Sequence, residues 1–198
     1  MLLREEFLMA LILVSSIILS CILDLLTMNA YPKAIVTTGN NKGKKTTIEL
    51  INRLLPYDND VEIKEEIKNV LSIYSKLSPM EIYGLIASAP PSSAFKIFPF
   101  MDVAELQIET IIKKGVDLLL SKKVKKFYVE CIQRTKEVNC REVEIGIGIS
   151  MRGKAEVNYN EPDYVLFANI MKSFLGFSLF KNGQEKLSVS TLKLNMRK

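Results

Sequence analysis

The stretch Lys126-Phe127-Tyr128-Val129-Glu130-Cys131-Ile132-Gln133-Arg134 decides how this chain is read. Phe127, Val129 and Cys131 alternate with Tyr128, Glu130 and Ile132, the two-residue period of a strand with unlike faces. The strand opens on a lysine-rich joint, Lys122, Lys123, Lys125 and Lys126, and closes on Gln133, Arg134 and Thr135. Residues 141–151 follow as a helix that contains Gly146 and Gly148, with Asn139 or Cys140 ahead of it. Glu161-Pro162-Asp163 then turns the chain into residues 164–171, whose nearly unbroken apolar run marks a central strand. Residues 174–180 form another. Charge gathers at the joints, and no nucleophile–base pair stands out. Such a stretch points to a surface that holds something anionic.

Upstream, Val103, Leu106, Ile108, Ile111, Ile112, Val116, Leu119 and Leu120 recur at threes and fours, predicting a helix from Asp102 to Ser121. Ala155, Val157 and Tyr159 alternate as a strand edge, and residues 187–194 suggest a last strand. In the first half, residues 34–38 are a β-branched run that ends at Gly39-Asn40-Asn41. Thr46 or Thr47 is expected to cap a helix with Ile48, Ile51 and Leu55 on its apolar face, ended by Pro56. Two strands around Val61 and residues 70–74, a helix opened by Ser78-Pro79, and a strand at residues 95–98 complete the half. The order fits a ferredoxin-like unit, and the boundary falls near residues 98–102.

The formal net charge is +5, and Arg4 is the only basic group before Lys33. That bias favours nucleic acid or an anionic membrane face. There is no histidine, and three cysteines form no C-x-x-C pair, so no metal or other cofactor is expected. The unpaired cysteines suggest a reducing compartment: Cys131 as core and Cys140 as incidental. Lys, Glu, Asp, Tyr and Cys remain as catalytic groups, but the residue best suited to proton transfer at neutrality is missing.

Residues 7–23 carry no charge. Their length is at the short edge of a membrane-crossing helix; the alternatives are that Met28 begins the functional protein or that the segment is a buried apolar helix. An anchor there would hold the body on the cytoplasmic side, because lysines follow it. The organisation expected is thus an apolar leader (1–28), a ferredoxin-like unit (29–99) and a second α/β domain (100–198).

Gly39-Asn-Asn-Lys-Gly-Lys-Lys-Thr46 is not a phosphate loop of the Walker type, since three residues separate its glycines where four are required. Lys42, Lys44 and Lys45 ahead of a helix are instead candidates for RNA phosphate contact. Lys122, Lys123, Lys125, Lys126, Arg134, Lys136, Arg141, Arg152 and Lys154 are the other candidates. A run of this kind is ordinarily a solvated face; a converging one would form a stripe for backbone contacts.

Residues 126–134, then Glu142-Val143 to Ile145-Gly146, then Val157 to Pro162-Asp163, resemble in this order the THUMP domain, an RNA-binding module found beside RNA-modifying domains. The match covers residues 100–180. With the preceding half, containing Gly39 and Glu49, the chain is similar to stand-alone THUMP proteins that serve as adaptors for tRNA N4-acetylcytidine formation. The resemblance implies an α+β protein with a ferredoxin-like unit followed by a THUMP-like α/β domain. It further implies that Arg134 and Lys136 lie near the RNA and that Gly146 permits close helix approach. Pro162 and Asp163 are implied as structural. Gln133 departs from the pattern, standing where a second basic residue is common. The expected function is a non-catalytic, cytoplasmic protein that binds tRNA and presents it to an RNA acetyltransferase or other tRNA-modifying enzyme. The alternatives are a membrane-tethered basic protein, held through residues 7–23, and a small RNA-modifying enzyme without histidine.

Overall fold

The structure is a computed structural model, and it describes residues 31–187. The apolar segment 7–23 and most of the strand expected at 187–194 lie outside the described residues. Elements run β1 (Ala34–Thr38), α1 (Gly43–Leu54), β2 (Glu62–Ile67), β3 (Val70–Tyr74), α2 (Pro79–Ser88) and β4 (Ala94–Pro99). Then come β5 (Asp102–Ala104), α3 (Ile108–Ser121), β6 (Lys126–Gln133), α4 (Cys140–Ser150), β7 (Glu156–Val157), β8 (Tyr164–Ile170) and β9 (Leu175–Phe180). The fold is mixed α+β with two sheets. The first is antiparallel, in the order β2-β3-β1-β4. The second has the order β5-β9-β8-β6-β7, with β6 parallel to both β7 and β8 and the other pairs antiparallel.

Local chemistry explains several elements. Ser78 accepts a hydrogen bond from the Glu81 amide while Glu81 accepts from the Ser78 amide, and Pro79 occupies the first turn, so α2 starts where a reciprocal cap dictates. α1 does not start on a threonine. Lys42 stands at its cap position without a side-chain bond, Gly43 to Lys45 form the first turn, and Thr46 is buried. Its buried face is Gly43, Thr46, Leu50 and Leu54, whereas Ile48 and Leu55 point to solvent. The expected apolar stripe therefore lay on the wrong side of the helix.

The helix expected from Asp102 begins at Ile108 instead. Residues 102–104 are drawn into β5 because Val103 pairs with Gly176 and Asp102 with Phe177 in β9. The Asp102 carboxylate accepts from its neighbour's amide (2.7 Å) and from Lys114 Nζ (2.9 Å), bonds a helix first turn would not leave free. Past Val157, the Asn158 side chain takes the amides of Asn160 and Glu161, which ends β7 after two residues.

Cys131 and Cys140 are not separate thiols. A disulfide joins them across nine residues, with their Cα atoms 5.3 Å apart. The inference of a reducing compartment, which rested on unpaired cysteines, is withdrawn with that premise. The expectation of membrane association is likewise corrected for the described residues, among which no helix is long and apolar enough to cross a membrane.

The second core lies between the β6–β8–β9 face and helices α3 and α4, around Phe127, Leu166, Ala168 and Phe177. The helices approach closely through reciprocal glycines: Gly146 faces Ile112, and Gly115 faces Ile147. The opposite face of the sheet meets β4, where the Phe98 and Phe167 rings lie 5.2 Å apart and Ser178 Oγ donates to the Pro99 carbonyl at 2.6 Å.

One buried carboxylate fixes the turn before β2. Asp58, 5% exposed, accepts from Ser75 Oγ (2.6 Å), the Lys76 amide (2.8 Å) and the Asp60 amide (3.0 Å). The Ser75 hydroxyl above all holds its carboxyl below the usual carboxylate range. A depressed folded value gives stability that is present above the unfolded value, about 3.9, and is lost as pH falls through the folded one. Asp58→Asn is expected to lower stability at neutral pH by about 1–2 kcal/mol. It should also flatten the loss below about pH 4, as denaturant titrations at several pH values would read.

Candidate nucleic-acid interface

At the foot of β6 the lysine joint is shaped by the end of α3. Lys123 takes a left-handed conformation (φ 51°), and the amides of Lys123 and Val124 return to the carbonyls of Leu120 and Leu119. Lys123 and Lys125 are thereby brought together with Lys181, Tyr164 and Asp163 around a shallow depression of about 500 Å³. Lys181 was not singled out in the sequence, because it enters from the end of β9. Asp163 locks this corner: its Oδ2 accepts from the Lys126 amide at 2.9 Å, and its own amide donates to the Lys126 carbonyl at 2.8 Å. Pro162 precedes it in the turn.

The far end of β6 is arranged differently. Arg134 Nε and Nη2 both donate to Asn169 Oδ1, at 3.1 and 2.9 Å, and the guanidinium lies 5.8 Å from the Phe98 ring centre. Burial pulls its pKa down to about 10, which leaves it charged at neutrality. This cation is thus tied to the seam between the sheets. Lys96 joins the same seam, 3.9 Å from Glu130 and 3.7 Å from the buried Glu185. Lys136, beyond Arg134, is exposed on the loop that the disulfide closes.

The outer face of α4 carries the other pair of predicted cations. Arg141 and Arg152 line a groove of about 600 Å³ with Ile145, Gly148, Ile149, Val157 and Tyr159. Ile149 is 57% exposed and Tyr159 71%, a large apolar surface for a face rimmed by arginines. Glu144 also lines the groove, but its Oε1 accepts the Cys131 amide at 3.0 Å. That bond satisfies the β6 edge beyond the short β7. Tyr159 was read in the sequence as a strand residue. The signal in the sequence that marks its exposure is an aromatic ring between two asparagines in a turn.

Lys42, Lys44 and Lys45 are exposed at the start of α1, on the helix layer of the first sheet. Lys45 lies 3.8 Å from Glu49. The Glu65 carboxylate packs against Gly43, where an added Cβ would come within 2.2 Å of Oε2. A carboxylate therefore sits beside the turn expected to take a phosphate. Gly146 lies against Ile112 as described, and Lys122 and Lys154 are exposed, each just past a helix end. Among the described residues no cluster of His, Cys, Asp or Glu is placed to hold a metal ion.

No protein-family model matches this sequence, and no curated protein matches it. Solved structures do. PH1313 from Pyrococcus horikoshii Ot3 matches at 20% identity and a TM-score of 0.58, over 75% of this chain and 54% of that one. A 4-thiouridine synthetase solved as an RNA complex with bound ATP matches at 13% identity and TM-score 0.54, over 76% of this chain and 41% of that one. TrmN from Thermus thermophilus matches at 16% identity and TM-score 0.54, over 83% and 49%. The THUMP domain of THUMP domain-containing protein 1 also matches, at 19% identity and TM-score 0.31, over 38% of this chain and 86% of that one. This chain spans about half the length of the first three of these structures. The likeness is one of fold, and it corrects the expectation of a non-catalytic protein. A synthetase contains this fold, so the fold does not set the chain apart from enzymes.

Proposed function

We propose that residues 31–187 bind tRNA and position it for chemical modification, as a THUMP-type module behind a ferredoxin-like unit. The β–α–β–β–α–β order of residues 34–99 supports the latter assignment. The partners in this reading are tRNA and a tRNA-modifying activity such as an RNA acetyltransferase, on the same polypeptide or another. One observation carries it: cations without a carboxylate partner among the described residues flank the β6–α4–β7 edge of a fold also found in a synthetase solved with RNA. Lys123 and Lys125 gather where β6 begins, with Lys181 joining them from the end of β9 across β8, and Arg141 and Arg152 lie along the outer helix.

Backbone contacts of this kind release counterions, so affinity depends on salt. With about five phosphates engaged, log K against log salt should fall with a slope of about −4. Binding of a tRNA mixture at several salt concentrations measures it. A slope shallower than about −1 would overturn the reading. Lys123→Ala and Lys125→Ala should each reduce the slope by about 1.

A further inference from the structure

The groove on α4 has a composition that backbone contacts alone do not require. Resting on the RNA-binding reading above, the geometry points to a subsite for an unpaired nucleobase on the Tyr159 ring, with Arg141 and Arg152 holding the flanking phosphates.

The ring is built for contact. Asn158 Oδ1 takes the amides of Asn160 at 3.1 Å and Glu161 at 2.9 Å, a local turn that leaves Tyr159 71% exposed. The Tyr128 ring stands behind it at 5.5 Å with an interplanar angle of 32°. A tyrosine supported this way offers a large flat surface and loses little rotamer freedom on binding. Ile145, Ile149 and Val157, exposed by 49%, 57% and 41%, supply an apolar floor beside it.

Charge selects the occupant. The groove holds two arginines, and no carboxylate of the described residues pairs with either. Its one acid, Glu144, turns Oε1 to the Cys131 amide and keeps its charge, so the lining carries two positive charges against one negative. A nucleotide matches this set, with a flat apolar base and an anionic phosphate to each side. The base must be unpaired, because stacked neighbours in a duplex cover both of its faces. An amphipathic protein helix would use the same isoleucines but has no comparable need for two free guanidinium groups.

The test uses the full chain, a short unstructured oligoribonucleotide and a blunt duplex of the same sequence, with binding read by fluorescence anisotropy. Tyr159→Ala should weaken the unstructured RNA about tenfold and the duplex by less than about twofold, and Tyr159→Phe should stay within about twofold on both. Thermal melts confirm that the variants fold. Unchanged affinity of Tyr159→Ala for the unstructured RNA would overturn the subsite, as would an equal loss on both RNAs. If the wild-type chain self-associates in sedimentation, Ile149→Asp abolishes it, and Tyr159→Ala keeps its RNA affinity, the groove is a protein-docking face and the inference is wrong. Failure of the wild-type chain to bind either RNA would instead strike the RNA-binding reading itself.

Discussion

Arg134→Ala is expected to lower the free energy of unfolding by about 3 kcal/mol while leaving RNA affinity within about twofold. Two guanidinium nitrogens converge on Asn169 Oδ1, and Asn169 is fully buried. Truncation removes both donors at once. The amide nitrogen of Asn169 already has no partner among the described residues, so the whole side-chain amide would be stranded away from water. An unsatisfied buried polar group costs about 1–3 kcal/mol, and the lost cation over Phe98 adds about 1 kcal/mol. Arg134→Lys should recover only part, because an ammonium cannot reproduce the two-pronged contact. Urea titration and RNA binding separate the outcomes. A variant of native stability that no longer binds RNA would mean that the guanidinium serves the ligand after all.

Gly176→Val is expected to be at least as damaging. A Cβ at Gly176 would sit 2.4, 2.4 and 2.6 Å from three atoms of the Phe100 ring, against about 3.5 Å for carbon atoms in contact. The ring cannot swing aside easily, being 4% exposed and set edge-on to Phe174. The backbone cannot retreat either, because Gly176 pairs with Val103 in β5 and Asn169 in β8. Overpacking of this type costs about 1–3 kcal/mol and here falls at the upper end. For a chain of this size that is a drop of about 6–12 °C in Tm. Adding Phe100→Ala should make the double variant less unstable than the sum of the two single losses, since the clash and the ring vanish together. Strict additivity would show that the contact is not where the strain arises.

How much could be read from the sequence depended on whether the cause was local. The first strand, the Ser78-Pro79 helix start and the apolar run of β8 are written in neighbouring residues, and they fall where periodicity and capping put them. Asp102 to Ala104 misled because a helical spacing of apolar residues continues through it, while the partner that makes it a strand lies in β9. The face of α1 misled for a related reason: Thr46 and Gly43 are buried by the neighbouring sheet, and composition favours Ile48 and Leu55. The same applies to the candidate site. Lys123, Lys125, Arg141 and Arg152 were visible as charges, but their grouping was not, and Lys181 and Tyr159 enter from distant segments. Arg134 was visible as a cation at a strand end. Only the fold shows that it is turned to Asn169.

The strand order also sets a timetable for a chain that emerges from its N-terminus. The four strands of the first sheet pair with one another between residues 34 and 99 and are all available once residue 99 is, while the outer edge of β4 waits for residues 185–187. The second sheet has no such independence. Its edge strand β5 pairs only with β9, and the Ser178–Pro99 bond spans 79 residues. During the interval β4 has finished pairing with β1, yet the Phe98 and Phe100 rings have nothing from β8 or β9 to cover them. Pairings this distant close slowly and leave apolar surface open while they wait. The nascent chain passes through a stage in which the first four strands display sticky aromatics, and β8 and β9, the last of the described strands, end that exposure by covering Phe98 and Phe100.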